Sequence, residues 1–96
     1  MMNEITIQQL LQIPHYTLID IRDERRFQEG RIPNSMNIPM AKLLSNPNQY
    51  LNTTTTYYIY CEFGYQSRRV CSVLNKLGYH TKSIIDGYYG YEMLEK

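Results

Sequence analysis

The sequence contains few of the residues that mark specialised protein classes. It has two cysteines, five glycines, four prolines and no tryptophan in 96 residues. Two cysteines are too few for a disulfide scaffold, and Cys61 and Cys71 form neither a CxxC pair nor the Cys/His spacing of a zinc site. We therefore expect a protein without a metal site, and a reducing, cytoplasmic location.

Charge and hydropathy are also unremarkable. Ten Lys and Arg against nine Asp and Glu give a formal charge of +1, so nothing global attracts nucleic acid or a lipid surface. No stretch approaches the roughly 18 apolar residues of a membrane span, and the first residues lack the basic and apolar regions of a secretion signal. We expect no nucleic-acid or membrane partner, and any anion site must be local.

The composition that remains is that of an ordinary globular domain, with 43% hydrophobic and 20% charged residues. A chain of this length buries roughly 65% of its unfolded surface, which is enough for one core. We find no repeat and no linker, and we predict a single domain over residues 1–96. The ten tyrosines are not interleaved with basic residues, which favours packing around a small core over a nucleic-acid platform.

Short apolar runs predict four strands. They span Thr17–Ile21, Ser35–Ile38, Tyr57–Tyr60 and Thr81–Ile85. The third run, YYIY, shows no alternation of polarity, which is typical of a strand covered on both faces, so we expect it to be central.

Helical segments alternate with these strands. They are Ile7–Gln12 behind the N-cap Thr6, Asp23–Gln28, a turn holding Ala41, Leu43 and Leu44, Ser67–Leu77 before Gly78, and Tyr88–Glu95. Asn46, Pro47 and Asn48 predict a loop. Such alternation predicts an α/β fold with a parallel sheet, helices on both faces, and ligands at the carboxyl ends of the strands.

Cys61 directly follows the predicted central strand. The loop EFGYQS leads from it into a helix, so several backbone N–H groups can converge on the thiol. These donors, with Arg68 or Arg69 nearby, favour the thiolate form. Cys61 can equally be a small hydrophobic residue buried at the end of a strand, and the local spacing does not decide between this role and a reactive thiolate.

Three segments taken in order resemble the single-domain rhodaneses, a family of sulfurtransferases. They are LIDIRDERRFQEGRIPNSMNIP, YIYCEFGYQS and IIDGYYGYE. The first is similar to the family's DxR and GHIPGAxNIP stretch, and the second to its active loop CxxGxRS through Cys61, Gly64 and Ser67. The third is similar to the family's closing glycine and aromatic motif. The resemblance implies a rhodanese-like three-layer sandwich with a small, mostly parallel sheet.

The resemblance also implies a two-step sulfur transfer without a cofactor. Cys61 would take the outer sulfur of thiosulfate or of a small-molecule or protein persulfide, and a thiol or cyanide acceptor would then remove it. The backbone N–H groups of the loop would hold the transferred sulfur. The loop residues are Glu62, Phe63, Gly64, Tyr65, Gln66 and Ser67.

Several of these residues have a simpler expected role. Ser67 is expected to cap the following helix, with donation to the Cys61 persulfide as the alternative. Glu62 is expected to be a solvated rim residue, and Cys71 to pack in the core. Asp20 and Arg22 end a neighbouring strand and are expected to support the loop as a capping carboxylate and a surface arginine, with Arg68 as a further supporting cation.

Gln66 departs from the family pattern, which has Arg at this position. A neutral amide lacks the charge that would hold a sulfonate, so we expect weak activity toward thiosulfate or a different donor.

Two other functions remain open from the sequence. A noncatalytic rhodanese-like interaction module is the first. A cysteine phosphatase or arsenate reductase is the second, and it is the weaker one because its loop CxxxxxR needs Arg six residues after the cysteine. Ser67 occupies that place here, and Arg68 comes one residue too late.

Overall fold

A five-stranded sheet forms the centre of the protein in a computed structural model that describes residues 3–95. The strands are β1 (Glu4–Ile5), β2 (Thr17–Asp20), β3 (Ser35–Asn37), β4 (Thr56–Tyr60) and β5 (His80–Ile84), in the spatial order β1-β5-β4-β2-β3. Every neighbouring pair is parallel. Strand β4 lies in the middle, as the unbroken apolar run predicts.

Residues 3–95 also form six helices, of which five connect the strands and the sixth follows β5. They are α1 (Ile7–Leu11), α2 (Glu24–Glu29), α3 (Met40–Ser45), α4 (Pro47–Tyr50), α5 (Tyr65–Lys76) and α6 (Gly87–Leu94). Among residues 3–95 no helix is long and apolar enough to cross a bilayer.

Alternate residues of the strands face two different cores. Ile19, Tyr57 and Ile59 pack with α3 and α5 on one face, whereas Leu18, Tyr60 and Ile84 pack with α1 and α6 on the other. This is the period-two alternation of a strand buried on both sides. The arrangement confirms the predicted α/β fold, with a sheet that is parallel throughout the described strands.

The structure corrects the predicted elements in three places. Residues 47–50 form the short helix α4 instead of a loop, because Pro47 at its first position already has helical φ. Strand β1 was not predicted, since two residues are too short to show a pattern. Helix α5 begins at Tyr65, two residues before the predicted start, immediately after Gly64 turns the chain at φ 95°.

The topology brings three segments to one edge of the sheet. Strand β4 pairs with β2 on one side and with β5 on the other, all in the same direction. The residues that follow these strands therefore meet at the carboxyl edge. Cys61 lies between Ile21 and Ile85 at this edge, where the sequence predicts the chemistry.

Candidate active site

The Cys61 sulfur lies inside a cradle of backbone amides. The N–H groups of Gly64 and Ser67 each point at Sγ, with N–Sγ distances of 3.2 Å. Both groups belong to the turn that starts α5, where N–H groups have no partner within the helix. The cysteine itself is only 2% exposed. A buried thiol would be expected to pack among apolar groups alone, but here inward-pointing donors face the sulfur.

Two serine hydroxyls form a chain of contacts that ends at the Cys61 sulfur. Ser67 Oγ lies 3.4 Å from Cys61 Sγ and 3.3 Å from the carbonyl oxygen of Gly64. It also lies 2.6 Å from Ser83 Oγ on β5. Ser67 is the third residue of α5 and makes no capping hydrogen bond, so the predicted cap is wrong. The helix begins earlier than the sequence indicated, which places this hydroxyl beside the thiol.

Glycines allow the loop to lie close to its neighbours. Gly64 has φ 95°, and a β-carbon there would collide with the carbonyl oxygen of Ile85. Gly87 has φ 64°, and a β-carbon on it would lie 2.6 Å from the Glu62 carbonyl oxygen. The amide of Tyr88 then donates to the Cys61 carbonyl oxygen at 2.8 Å. The start of α6 thus fixes the backbone of the loop.

A buried ion pair supports the loop from β2. Arg22 is 5% exposed and Asp20 0% exposed, so Arg22 is not the surface residue that we expected. Their shortest contact is 2.7 Å. Burial acts to lower the pKa of Arg22, but hydrogen bonding to Asp20 and its charge outweigh it and raise the pKa. The guanidinium also lies 4.2 Å from the centre of the Tyr88 ring, so it joins β2 to α6.

Glu62 connects the loop to helix α2. Its carboxylate accepts from Arg26 Nε at 2.8 Å and Nη2 at 2.7 Å, and from Arg22 Nη1 at 3.3 Å. The hydrogen bond from Arg26 is the main reason why the pKa of Glu62 is lowered. Glu62 is therefore held by two arginines, in contrast to the solvated rim residue that we expected.

The outer surface of the loop is apolar and exposed. Phe63 is 57% and Tyr65 69% exposed, and the Phe63 ring lies 5.7 Å from the ring of Tyr89 on α6. Gln66 lines a groove of about 320 Å³ between α3 and α5 whose other walls are largely apolar. Phe63 and Tyr65 thus lie exposed on the loop, whereas Gln66 faces a groove beside it.

Arg68 and Cys71 lie away from this cradle. The Arg68 guanidinium points to Glu4, with Nε 3.7 Å from the carboxylate, and its side chain is 60% exposed. Cys71 is 2% exposed in the core beneath α5. Burial raises the pKa of its thiol to about 12, so Cys71 is protonated at neutral pH. It packs as the helical spacing predicts.

Two contributors were not identified from the sequence. Ser83 was predicted only as part of the strand Thr81–Ile85, and Arg26 only as part of the helical segment Asp23–Gln28. The alternation of β5 turns Ser83 toward α5, which is a usable sequence signal. The contact between Arg26 and Glu62 spans 36 residues and has none. Within residues 3–95, no three His, Cys, Asp or Glu side chains come together as metal ligands would.

Comparison with known proteins places these features in a family. The model of the rhodanese-like domain matches residues 6–93. The "Putative sulfurtransferase YtwF" of Bacillus subtilis is 29% identical over 75 residues, which cover 78% of this chain and 72% of that protein. The "Uncharacterized protein YqhL" of the same organism is 34% identical over 61 residues, 64% of this chain, and the chain spans only 48% of its length.

A solved structure shares the whole architecture. The rhodanese-related protein of Thermoplasma volcanium superimposes with a TM-score of 0.87 at 26% sequence identity, covering 95% of this chain and 91% of that one. The cradle around Cys61 and the parallel sheet are thus found in a chain that matches one family model over nearly its full length. The chain belongs to the rhodanese-like family, in which relatives carry the name sulfurtransferase.

Proposed function

We propose that the protein is a sulfurtransferase that carries sulfane sulfur as a persulfide on Cys61. The observation that carries this proposal is the pair of N–H groups, from Gly64 and Ser67, that point at Sγ from 3.2 Å. A structural cysteine has no need of such donors, whereas a thiolate is stabilised by them.

In the first half-reaction, the Cys61 thiolate attacks the outer sulfur of the donor. A new sulfur–sulfur bond forms on Cys61 while the donor's own bond to that sulfur breaks, and the leaving group departs with the electron pair. The leaving group is sulfite when thiosulfate is the donor and a thiolate when a persulfide is the donor. Cys61 is 2% exposed, so a terminal single sulfur reaches it more readily than a bulky electrophile does.

In the second half-reaction, an acceptor thiolate or cyanide attacks the outer sulfur of the Cys61 persulfide. The bond between the two sulfurs breaks, and the electron pair returns to Cys61 as thiolate. We propose that the N–H groups of residues 62–67 stabilise the charge on the moving sulfur, in the manner of an oxyanion hole. No metal or organic cofactor takes part in either step.

The charges near the cradle favour a persulfide donor over thiosulfate. Arg22 and Arg26 are both engaged by carboxylates, Arg68 points to Glu4, and Arg69 lines the groove beside Gln66. Gln66 supplies only a neutral amide to hold a sulfonate. The exposed rings of Phe63 and Tyr65 offer an apolar surface to the molecule, small or protein, that carries the donor sulfur or the acceptor thiol.

The matched variants Cys61→Ser and Cys71→Ala test this assignment. Each removes one buried thiol, but only Cys61 has amide donors on its sulfur. We expect Cys61→Ser to abolish the release of thiocyanate from a persulfide donor and cyanide, while Cys71→Ala retains it. Equal turnover by Cys61→Ser and the parent would reject the assignment, and a parent that releases no thiocyanate above the uncatalysed rate would favour a noncatalytic interaction module.

A further inference from the structure

We propose that Ser83 is a positioning residue for the nucleophile, acting through Ser67. The inference rests on the proposed role of Cys61, and it adds a group that lies on another element of the fold. Ser83 is on β5 and Ser67 is on α5, and both residues are 0% exposed. Their hydroxyl oxygens are 2.6 Å apart, and Ser67 Oγ is 3.4 Å from Cys61 Sγ.

The direction of the serine–serine hydrogen bond follows from the available acceptors. Among residues 3–95, the Ser83 hydroxyl makes a hydrogen bond to Ser67 Oγ and to no other atom. A buried O–H group without an acceptor is costly, so Ser83 donates and Ser67 accepts. The proton of Ser67 is then left for the Gly64 carbonyl oxygen at 3.3 Å or for Cys61 Sγ at 3.4 Å.

The ionisation state of Cys61 selects between these two acceptors. As a thiol, Cys61 donates to Ser67 Oγ, and the Ser67 proton points to Gly64. As a thiolate, Cys61 is an acceptor only, so the Ser67 hydroxyl rotates and donates to Sγ. Ser83 continues to donate to Ser67 in both states and polarises the Ser67 hydroxyl, which strengthens its bond to the charged sulfur. Ser83 thus favours the thiolate without touching it.

Other charged and titratable groups lie on the elements packed around Cys61, but among residues 3–95 the Ser83 hydroxyl bonds to none of them. Asp20 pairs with Arg22, Glu62 with Arg26, and Arg68 faces Glu4. Lys82 and His80 share β5 with Ser83 but occupy the alternate positions of the strand. Of the remaining titratable groups on these elements, Tyr57 and Cys71 share the buried core that contains Cys61.

The pH dependence of Cys61 alkylation tests the proposal. The rate of iodoacetamide reaction would be followed by mass spectrometry of the Cys61 peptide in the parent and in Ser83→Ala. We expect the pH midpoint of Ser83→Ala to rise by roughly half a unit, a threefold loss of thiolate at lower pH. Ser83→Thr keeps the hydroxyl and should restore the midpoint.

Two comparisons separate this role from a general loss of packing. Thr81→Val removes another buried hydroxyl of β5, which bonds to Asn75 Oδ1 at 2.8 Å; it should leave the midpoint unchanged. In a Ser67→Ala background, Ser83→Ala should cause no further shift. A midpoint for Ser83→Ala equal to that of Thr81→Val, or an undiminished shift without Ser67, would overturn the proposal. Because alkylation needs no sulfur donor, this result is independent of whether Cys61 accepts sulfur.

Discussion

Replacing Asp20 by Asn perturbs the most deeply buried charge at the site while keeping the side chain's shape. The carboxylate is 0% exposed. It accepts hydrogen bonds from Arg22 through the backbone N–H at 2.8 Å, Nε at 3.1 Å to both oxygens, and Nη2 at 2.7 Å. Asn would remove the negative charge and turn at least one acceptor into a donor.

The loss of stability in Asp20→Asn depends on the partners that Arg22 would keep. Removing one partner of a buried ion pair costs about 3–5 kcal/mol, because the other charge is left uncompensated. Arg22 would retain the Gly30 carbonyl oxygen at 2.6 Å and Glu62 at 3.3 Å, and Glu62 is already engaged by Arg26. We therefore expect a loss near 3 kcal/mol, a large part of the ~5–15 kcal/mol that stabilises a typical domain.

Urea unfolding followed by circular dichroism measures this loss. Asp23→Asn is the matched control, because Asp23 is exposed and caps α2 by accepting from the Arg26 backbone N–H at 2.9 Å. Asn and Asp are similar N-caps, so the control should change the free energy of unfolding by less than about 0.5 kcal/mol. A loss for Asp20→Asn that is no larger than that for Asp23→Asn would refute the reasoning.

Three further predictions concern charge, backbone and pH. Gln66→Arg should lower the KM for thiosulfate about fivefold, the equivalent of ~1 kcal/mol for an exposed charge pair, and an unchanged KM in steady-state assays would contradict this. Gly64→Ala should abolish sulfur transfer, because the added β-carbon would collide with the Ile85 carbonyl oxygen. Gly78 has nearly the same φ, but a β-carbon there would have no atom within 4 Å, so Gly78→Ala should keep activity and lose only ~1–2 kcal/mol of stability. Burial raises the pKa of Cys71 from 9.0 to about 12, so the folded state binds this proton more tightly and the free energy of unfolding should fall by about 1.4 kcal/mol per pH unit above pH 9. Urea unfolding of Cys71→Ala at several pH values should show a fall that is shallower by this amount, and the same fall in parent and variant would contradict the prediction.

The sheet and the position of Cys61 could be predicted from the sequence because local patterns determine them. The apolar run YYIY identifies a central strand, and a parallel sheet places the following Cys61 at its carboxyl edge. The start of α5 was less predictable, because a glycine such as Gly64 can be the last residue before a helix or an internal residue of a longer loop. That shift of two residues decides whether Ser67 caps the helix or contacts the thiol.

Contacts between distant segments explain the remaining differences. Arg26 and Glu62 look like two solvated charges until the fold brings α2 beside the loop that follows Cys61. Arg22 looks like a surface residue because arginine is seldom buried without partners. Asp20 is a local partner, but Gly30 and Tyr88 come from two other segments. Such pairings depend on tertiary geometry and leave no local pattern.

Mass spectrometry after treatment with glutathione persulfide tests the central proposal most directly. We predict a mass gain of about 32 Da, one sulfur, on the Cys61 peptide, and none on the Cys71 peptide. The gain should persist in Cys71→Ala and should disappear when an acceptor thiol is added. Sulfur on Cys71 instead, or an unmodified Cys61 in the folded parent, would contradict a persulfide carried in the amide cradle.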